Sequence, residues 1–165
     1  MEMNSLQDLL IHDLKDLYSA ETQLTKALPK MAKAASDPAL KQAFQTHLAE
    51  TEVQIERLER IFEELEESPR GKKCKAMEGL IEEGKELMEE DAEPDVLDAG
   101  LIGAAQKVEH YEIAGYGTAR TYAQMLGNDQ AARLLQQTLD EEGATDKKLT
   151  KLAVQCINAE AGDGD

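Results

Sequence analysis

Glu21, Glu50, Glu109, Glu112, Glu142 and Asp146 are the residues whose type and spacing could do chemistry. Carboxylates gathered in an apolar interior repel one another, so they must protonate, pair or bind a cation. The helical seams that carry them hold no matching stripe of Lys or Arg. A divalent ion held by carboxylate oxygens is then the simplest neutralising partner, and such ligation suits Mg, Ca, Mn or Fe.

Phase places these acids inward. At 100° per residue, with Leu17 as zero, Leu10, Leu24 and Leu28 lie within about 20° and Glu21 at about 40°. In the seam of Leu101, Ala105, Val108 and Ala119, Glu112 falls at about 20° and Glu109 on the flank at about 80°. With Leu135 as zero, Glu142 and Asp146 lie about 20° to either side, between Leu139 and Leu149 at about 40°. Around Glu50 the pattern is less clean: His47 and Gln54 fall inside the apolar arc, and Glu50 sits at its edge, about 90° from the centre.

Height completes the argument. Two turns, near Ser36-Asp37-Pro38 and Gly127-Asn128-Asp129, fold the chain into antiparallel hairpins. Glu21 and Glu50 lie at similar distances from the first turn, Glu112 and Glu142 from the second, each pair mismatched by roughly 3 Å or less. Four carboxylates can therefore converge at mid-height. Di-metal carboxylate sites in helical bundles add a His three residues after a Glu on two helices. Here those positions are Val53 and Thr145. His47 instead precedes Glu50 by three, so Glu109, Glu112 and Asp146 are expected to stand in for imidazole, with Gln54 as a neutral oxygen. His47 is open between a donor to a carboxylate and a satisfied core histidine.

Other polar residues have plainer readings. His12 and His110 point outward. Asp13 is expected to make a polar contact between helices. Tyr18, Tyr111, Tyr116 and Tyr122 are packing residues, of which Tyr18 and Tyr116 lie within about a turn of the acid level and could bond a ligand. Glu63-Glu64, Glu66-Glu67, Glu82-Glu83 and Glu89-Glu90 form solvated surface.

The positioning elements are helices throughout. Apolar spacing predicts long helices over about 4–35, 38–67, 95–126 and 129–159, with a shorter one over 74–90. Pro29 is expected to bend the first, and Ser68-Pro69-Arg70-Gly71 to end the second. The long link between hairpins matches a ferritin-like four-helix bundle: two antiparallel hairpins joined by a crossover that carries the short extra helix. The reading is one all-α domain over 1–160, with a disordered tail at 161–165.

Composition narrows the function classes. The chain has 165 residues, with 34 acids against 18 Lys and Arg and a net charge of −16. That balance argues against nucleic acid and anionic membranes as partners. No apolar run approaches the ~20 residues of a membrane span, and the first residues lack a signal-peptide pattern. Cys74 and Cys156 are far apart and read as packing or surface residues, so a reducing cytoplasm is expected.

Five stretches carry a family resemblance: DLYSAETQLTKAL (16–28), HLAETEVQIERLE (47–59), CKAMEGLIEEGKELME (74–89), AAQKVEHYEIAGYGT (104–118) and LDEEGATDKKLTKLA (139–153). Together, in this order, they resemble the YciE/YciF family of bacterial ferritin-like stress proteins. The resemblance implies a ferritin-like bundle, a homodimer and a role in stress response. In the wider superfamily of di-iron proteins, Glu21, Glu50, Glu109, Glu112 and Glu142 match the glutamate positions, whereas both histidine positions are absent. The leading reading is therefore a metal-binding protein, Fe favoured and Mn possible; if redox-active, it would bind two such ions and take O2 or peroxide as a small oxidant substrate. No rubredoxin-like cysteine module accompanies them. Two other readings stand beside this one: a non-catalytic helical dimer with a degenerate metal site, acting as a structural or interaction protein, and an iron-storing cage.

Overall fold

Helix boundaries follow the residues that can supply or withhold backbone hydrogen bonds. The computed structural model describes residues 3–162. α1 spans Leu6–Ala34 and starts where the Ser5 side chain accepts from the Asp8 N–H. α2 spans Pro38–Glu64, with Asp37 accepting from the Ala39 and Leu40 N–H groups and Pro38 in the first turn. α3 spans Lys75–Glu89 behind a Cys74 cap, and α4 spans Pro94–Met125. α5 spans Asp129–Leu152, capped by Asn128. Capping residues satisfy N–H groups that a helix leaves without partners.

Two helix ends differ from the expectation. α2 stops at Glu64, ahead of Ser68-Pro69, because Glu66 takes a left-handed backbone (φ 54°). The Glu67 N–H then closes on the Phe62 carbonyl at 2.9 Å, ending the helix. At the far end, a π turn over Ala153–Ile157 leads into α6, Asn158–Gly162. Ala161 and Gly162, expected in a disordered tail, thus close the last helix; residues 163–165 lie outside the described residues. α1 runs on through Pro29 as one helix.

Side-chain contacts set the directions. Lys15 reaches Glu67 and Tyr18 reaches Glu59, so α1 and α2 are antiparallel. The Ser36 and Asp37 N–H groups donate to Asp98, while Tyr116 donates to Glu21, so α4 descends along α1. Glu50 meets Thr145 and Arg57 meets Glu141, which makes α2 and α5 antiparallel. Each long helix packs on two others: α1 on α2 and α4, and α5 on α4 and α2. α3 lies across α1 and α4. Among the described residues there is no strand, and no helix is long and apolar enough to cross a membrane.

Two apolar clusters form the core. One holds Leu24, Leu28, Leu40, Phe44, Leu101 and Leu149; the other holds Leu14, Leu17, Leu58, Phe62, Tyr116 and Leu135. Apart from Asp98 at the start of α4, the buried polar residues of the long helices fall between these two groups: Glu21 on α1, His47, Thr51 and Gln54 on α2, Glu109 and Glu112 on α4, Thr138 and Glu142 on α5. The polar layer is therefore walled by hydrocarbon above and below, which lowers its local dielectric and strengthens every interaction inside it.

Candidate metal centre

Three helices bring four potential ligands together. His47 from α2, Glu109 and Glu112 from α4, and Glu142 from α5 each offer one atom, and these atoms lie within 4.8 Å of one another. All four residues are buried, the three carboxylates completely. Glu109 and Glu112 are three apart and so share one face of α4. His47 Nε2 stands 2.9 Å from Glu109 Oε1, outside hydrogen-bonding geometry.

Glu21 of α1 lies beside this group. Its Oε1 accepts from the Tyr116 hydroxyl at 2.5 Å, and its Oε2 has no hydrogen-bond partner. Both oxygens of Glu109, Glu112 and Glu142 and both ring nitrogens of His47 are buried and without hydrogen-bond partners as well. So many buried orphans in one layer are exceptional, because each costs about 1–3 kcal/mol of desolvation.

The electrostatics agree. Burial, reinforced by the charge of Glu142, pushes the Glu21 carboxyl up to about 7. Burial lifts Glu109 to about 7 as well, with Glu21, Asp146 and Glu50 adding to it. Glu112 and Glu142 are driven well above the ordinary carboxylate range, by burial first and then by neighbouring carboxylates. The metal-free site is thus a set of acids that resist ionising. A bound cation removes that resistance, since it replaces protons as the neutralising charge.

The donors fit such an ion. Carboxylate oxygens suit hard cations and imidazole suits borderline ones, so one nitrogen among three carboxylates points to a borderline-to-hard ion such as Fe or Mn. Opposite donors around an ion with bonds of about 2.1 Å stand about 4.2 Å apart, close to the spread found here.

The six acids singled out by spacing separate into two groups. Glu109, Glu112 and Glu142 belong to the four-ligand cluster and Glu21 adjoins it. Glu50 and Asp146 sit at its rim. Glu50 is half-exposed, with Oε2 3.4 Å from the Thr145 hydroxyl and 4.0 Å from His47 Nδ1. Asp146 accepts from Gln106 at 3.2 Å and lies 3.3 Å from exposed His110. His47, read from spacing as a donor to a carboxylate or a core histidine, stands within the ligand group itself. Its place one turn before Glu50 carries it toward the α1–α2 turn, the level of Glu109.

Arg57 and Glu141 were not singled out by spacing. Arg57 forks onto Glu141 at 2.6 and 2.7 Å, and Gln54 joins it at 3.1 Å, beside Glu142. The adjacency of Glu141 to Glu142 was the available signal. Cys74, beyond packing, caps α3 and meets Tyr111 and Asp16. Asp13 pairs with its neighbour His12 at 3.0 Å on the surface, in place of the expected contact between helices.

A family model described as a domain of unknown function (DUF892) matches residues 5–162. The protein YciF of Escherichia coli strain K12 is 54% identical over 162 residues, covering 98% of each chain. The solved structure of the E. coli stress protein YciF matches with a TM-score of 0.91 over 94% of this chain and 99% of that one, at 54% identity. A protein of Rhodopseudomonas palustris described as YcfI, a putative structural protein, matches with a TM-score of 0.88 at 47% identity, over 90% of this chain and 95% of that one. A Xanthomonas campestris protein, 20% identical, shares the fold at a TM-score of 0.76, over 96% of this chain and 97% of that one.

Proposed function

The chain belongs to the DUF892 family and is a homologue of the stress protein YciF, and from that premise we propose that it is a ferritin-like metal-binding protein of the bacterial stress response. Its four long helices would form the ferritin-like four-helix bundle, working in the cytoplasm as a homodimer. The observation that carries the reading is the convergence of His47, Glu109, Glu112 and Glu142, four buried ligand groups without hydrogen-bond partners.

His47, Glu109, Glu112 and Glu142 would hold the first ion, Fe in preference to Mn. Glu21, with Glu50 and Asp146 turned inward from the rim, would complete a site for a second. Bound Fe or Mn would supply electrons to a small oxidant, O2 or peroxide. The chain's own share is electrostatic and steric. The apolar clusters above and below exclude bulk water. Tyr116 fixes the Glu21 carboxylate by its hydroxyl hydrogen bond, and the Arg57–Glu141 pair ties α2 to α5 next to Glu142. Half-exposed Glu50 offers a negative entry point for cations from solvent.

A second reading draws on the raised acids. With Glu112 and Glu142 held protonated, the cluster can be neutral without a metal, and the chain would serve as a structural or interaction protein. Metal analysis by mass spectrometry, on protein purified without chelators, separates the two. The metal reading expects about two ions per chain, lost in a Glu112→Gln, Glu142→Gln variant and sharply reduced in His47→Leu. Less than about a tenth of an equivalent, with no uptake of added Fe(II) or Mn(II), would establish the second reading.

A further inference from the structure

α3 buries only Met77 and Gly84 fully, although its apolar stripe also holds Leu80, Ile81, Leu87 and Met88. Where it crosses α1 and α4 it leaves a half-enclosed cavity of about 260 Å³. Leu24, Ala27, Ile81, Met88, Ala104 and Val108 give that cavity an apolar lining. Its charged lining is Lys26, Lys30, Lys73 and Lys85, with no carboxylate among the lining residues. In a chain with 34 acids and 18 basic residues, four lysines and no acid around one cavity run against the composition.

Two of these lysines are unusual. Lys73 pairs with Glu78, and Lys85 lies 3.6 Å from Glu89. Lys26 and Lys30 have no carboxylate within ion-pair distance among the described residues, although they are one turn apart on α1. Like charges at that spacing repel, and an anion between them relieves the repulsion. Ligand sites combine an apolar concavity with a few converging polar groups.

We infer that this cavity binds a free amphipathic anion, a monocarboxylate with an apolar chain. Its chain lies under α3 and its head group sits between Lys26 and Lys30. The charge of the rim selects the head, and the hydrocarbon walls select the tail. A second copy of this chain would need an apolar plug to fill the cavity. Among the described residues the exposed large hydrophobics are spread over separate places, such as Val53, Val96 and Val154, with Met125 and Leu126 together only at the α4–α5 turn. The inference is independent of the metal reading.

Isothermal titration of the full chain with decanoate, kept below its micelle concentration, tests it. Saturable binding to a single class of site is expected. Decanol should bind about ten-fold more weakly, because it lacks the charge, and Lys26→Gln, Lys30→Gln should weaken decanoate about ten-fold while leaving decanol unchanged. Both lysines are exposed, so the variant keeps its fold, checked by circular dichroism. Ala104→Leu, which fills the cavity, should weaken both ligands. Four outcomes would overturn the inference: no saturable binding; decanoate and decanol binding alike with no lysine effect; binding only to phosphatidylglycerol vesicles; or a dimer in sedimentation that Ala104→Leu dissociates, which would make a second copy the occupant.

Discussion

His47 Nε2 and Glu109 Oε1 stand 2.9 Å apart across the diagonal between α2 and α4. Neither residue lies at the height that pairs Glu21 with Glu50 or Glu112 with Glu142. They meet because each is displaced one turn toward the same end of the molecule. That displacement adds an imidazole to a layer of carboxylates.

The acids of this layer make stability depend on pH in an uncommon direction. Glu21 and Glu109 hold their protons up to about 7 in the fold, against an ordinary value of 4.5, and burial raises Glu112 and Glu142 well above that ordinary value too. The folded state therefore binds more protons than the unfolded chain above about pH 4.5. Their contribution is fully present below that value and is lost as pH rises through about 7. Urea midpoints of the metal-free protein should fall steadily from pH 5 to pH 8. Added Fe(II) or Mn(II) should reverse the trend, because ligation displaces the same protons. A metal-free midpoint that is flat or rising over this range would refute the assignment.

Tyr116→Phe removes the donor to Glu21 Oε1 and leaves both Glu21 oxygens unpartnered in a fully buried position. A loss of about 1–2 kcal/mol is expected in denaturant unfolding of the metal-free protein, since the acceptor keeps its desolvation penalty. Lower metal affinity should accompany it, as Glu21 is no longer oriented. An unchanged midpoint would mean that this hydrogen bond adds nothing net.

Asp98→Asn tests the joint between the hairpins. Buried Asp98 accepts from the Ser36 N–H at 2.8 Å and the Asp37 N–H at 2.7 Å, tying the start of α4 to the α1–α2 turn. Asn has one acceptor oxygen in place of two, so one amide loses its partner and the other loses a charged acceptor. The expected cost is about 2–3 kcal/mol, read from thermal or urea unfolding. Metal content should change little, because no residue of the cluster touches this turn; a full loss of metal in a folded Asp98→Asn variant would contradict that separation.

Glu66→Gly should stabilise the chain. Glu66 is the non-glycine residue with positive φ among the described residues, and an L side chain there carries a penalty of about 1–2 kcal/mol. Glycine removes the penalty and adds some unfolded-state entropy. The expected net gain is about 0.5 kcal/mol in the urea midpoint. The same change at Leu65, where φ is −83°, should destabilise instead.

Much of this protein is legible along the chain, because its information is local. Helical period, caps such as Asp37-Pro38, and breaks at Gly127-Asn128 are properties of a few consecutive residues. Phase alone placed Glu21, Glu112 and Glu142 inside, since a helix converts spacing into direction without reference to the rest of the fold. What period and caps leave open is decided by how the helices meet. Whether Glu50 or His47 faces the cluster depends on the rotation and height of α2 against α4, two helices that are not consecutive. Glu50, at the edge of its arc, finds Thr145 at the rim, while His47 finds Glu109 across the diagonal. The left-handed turn at Glu66 likewise escaped, because the closure on Phe62 outweighs an intrinsic preference that gives no local sign of it. Sequence fixes direction within a helix; distance between helices is set by packing, and a metal site is a matter of distances.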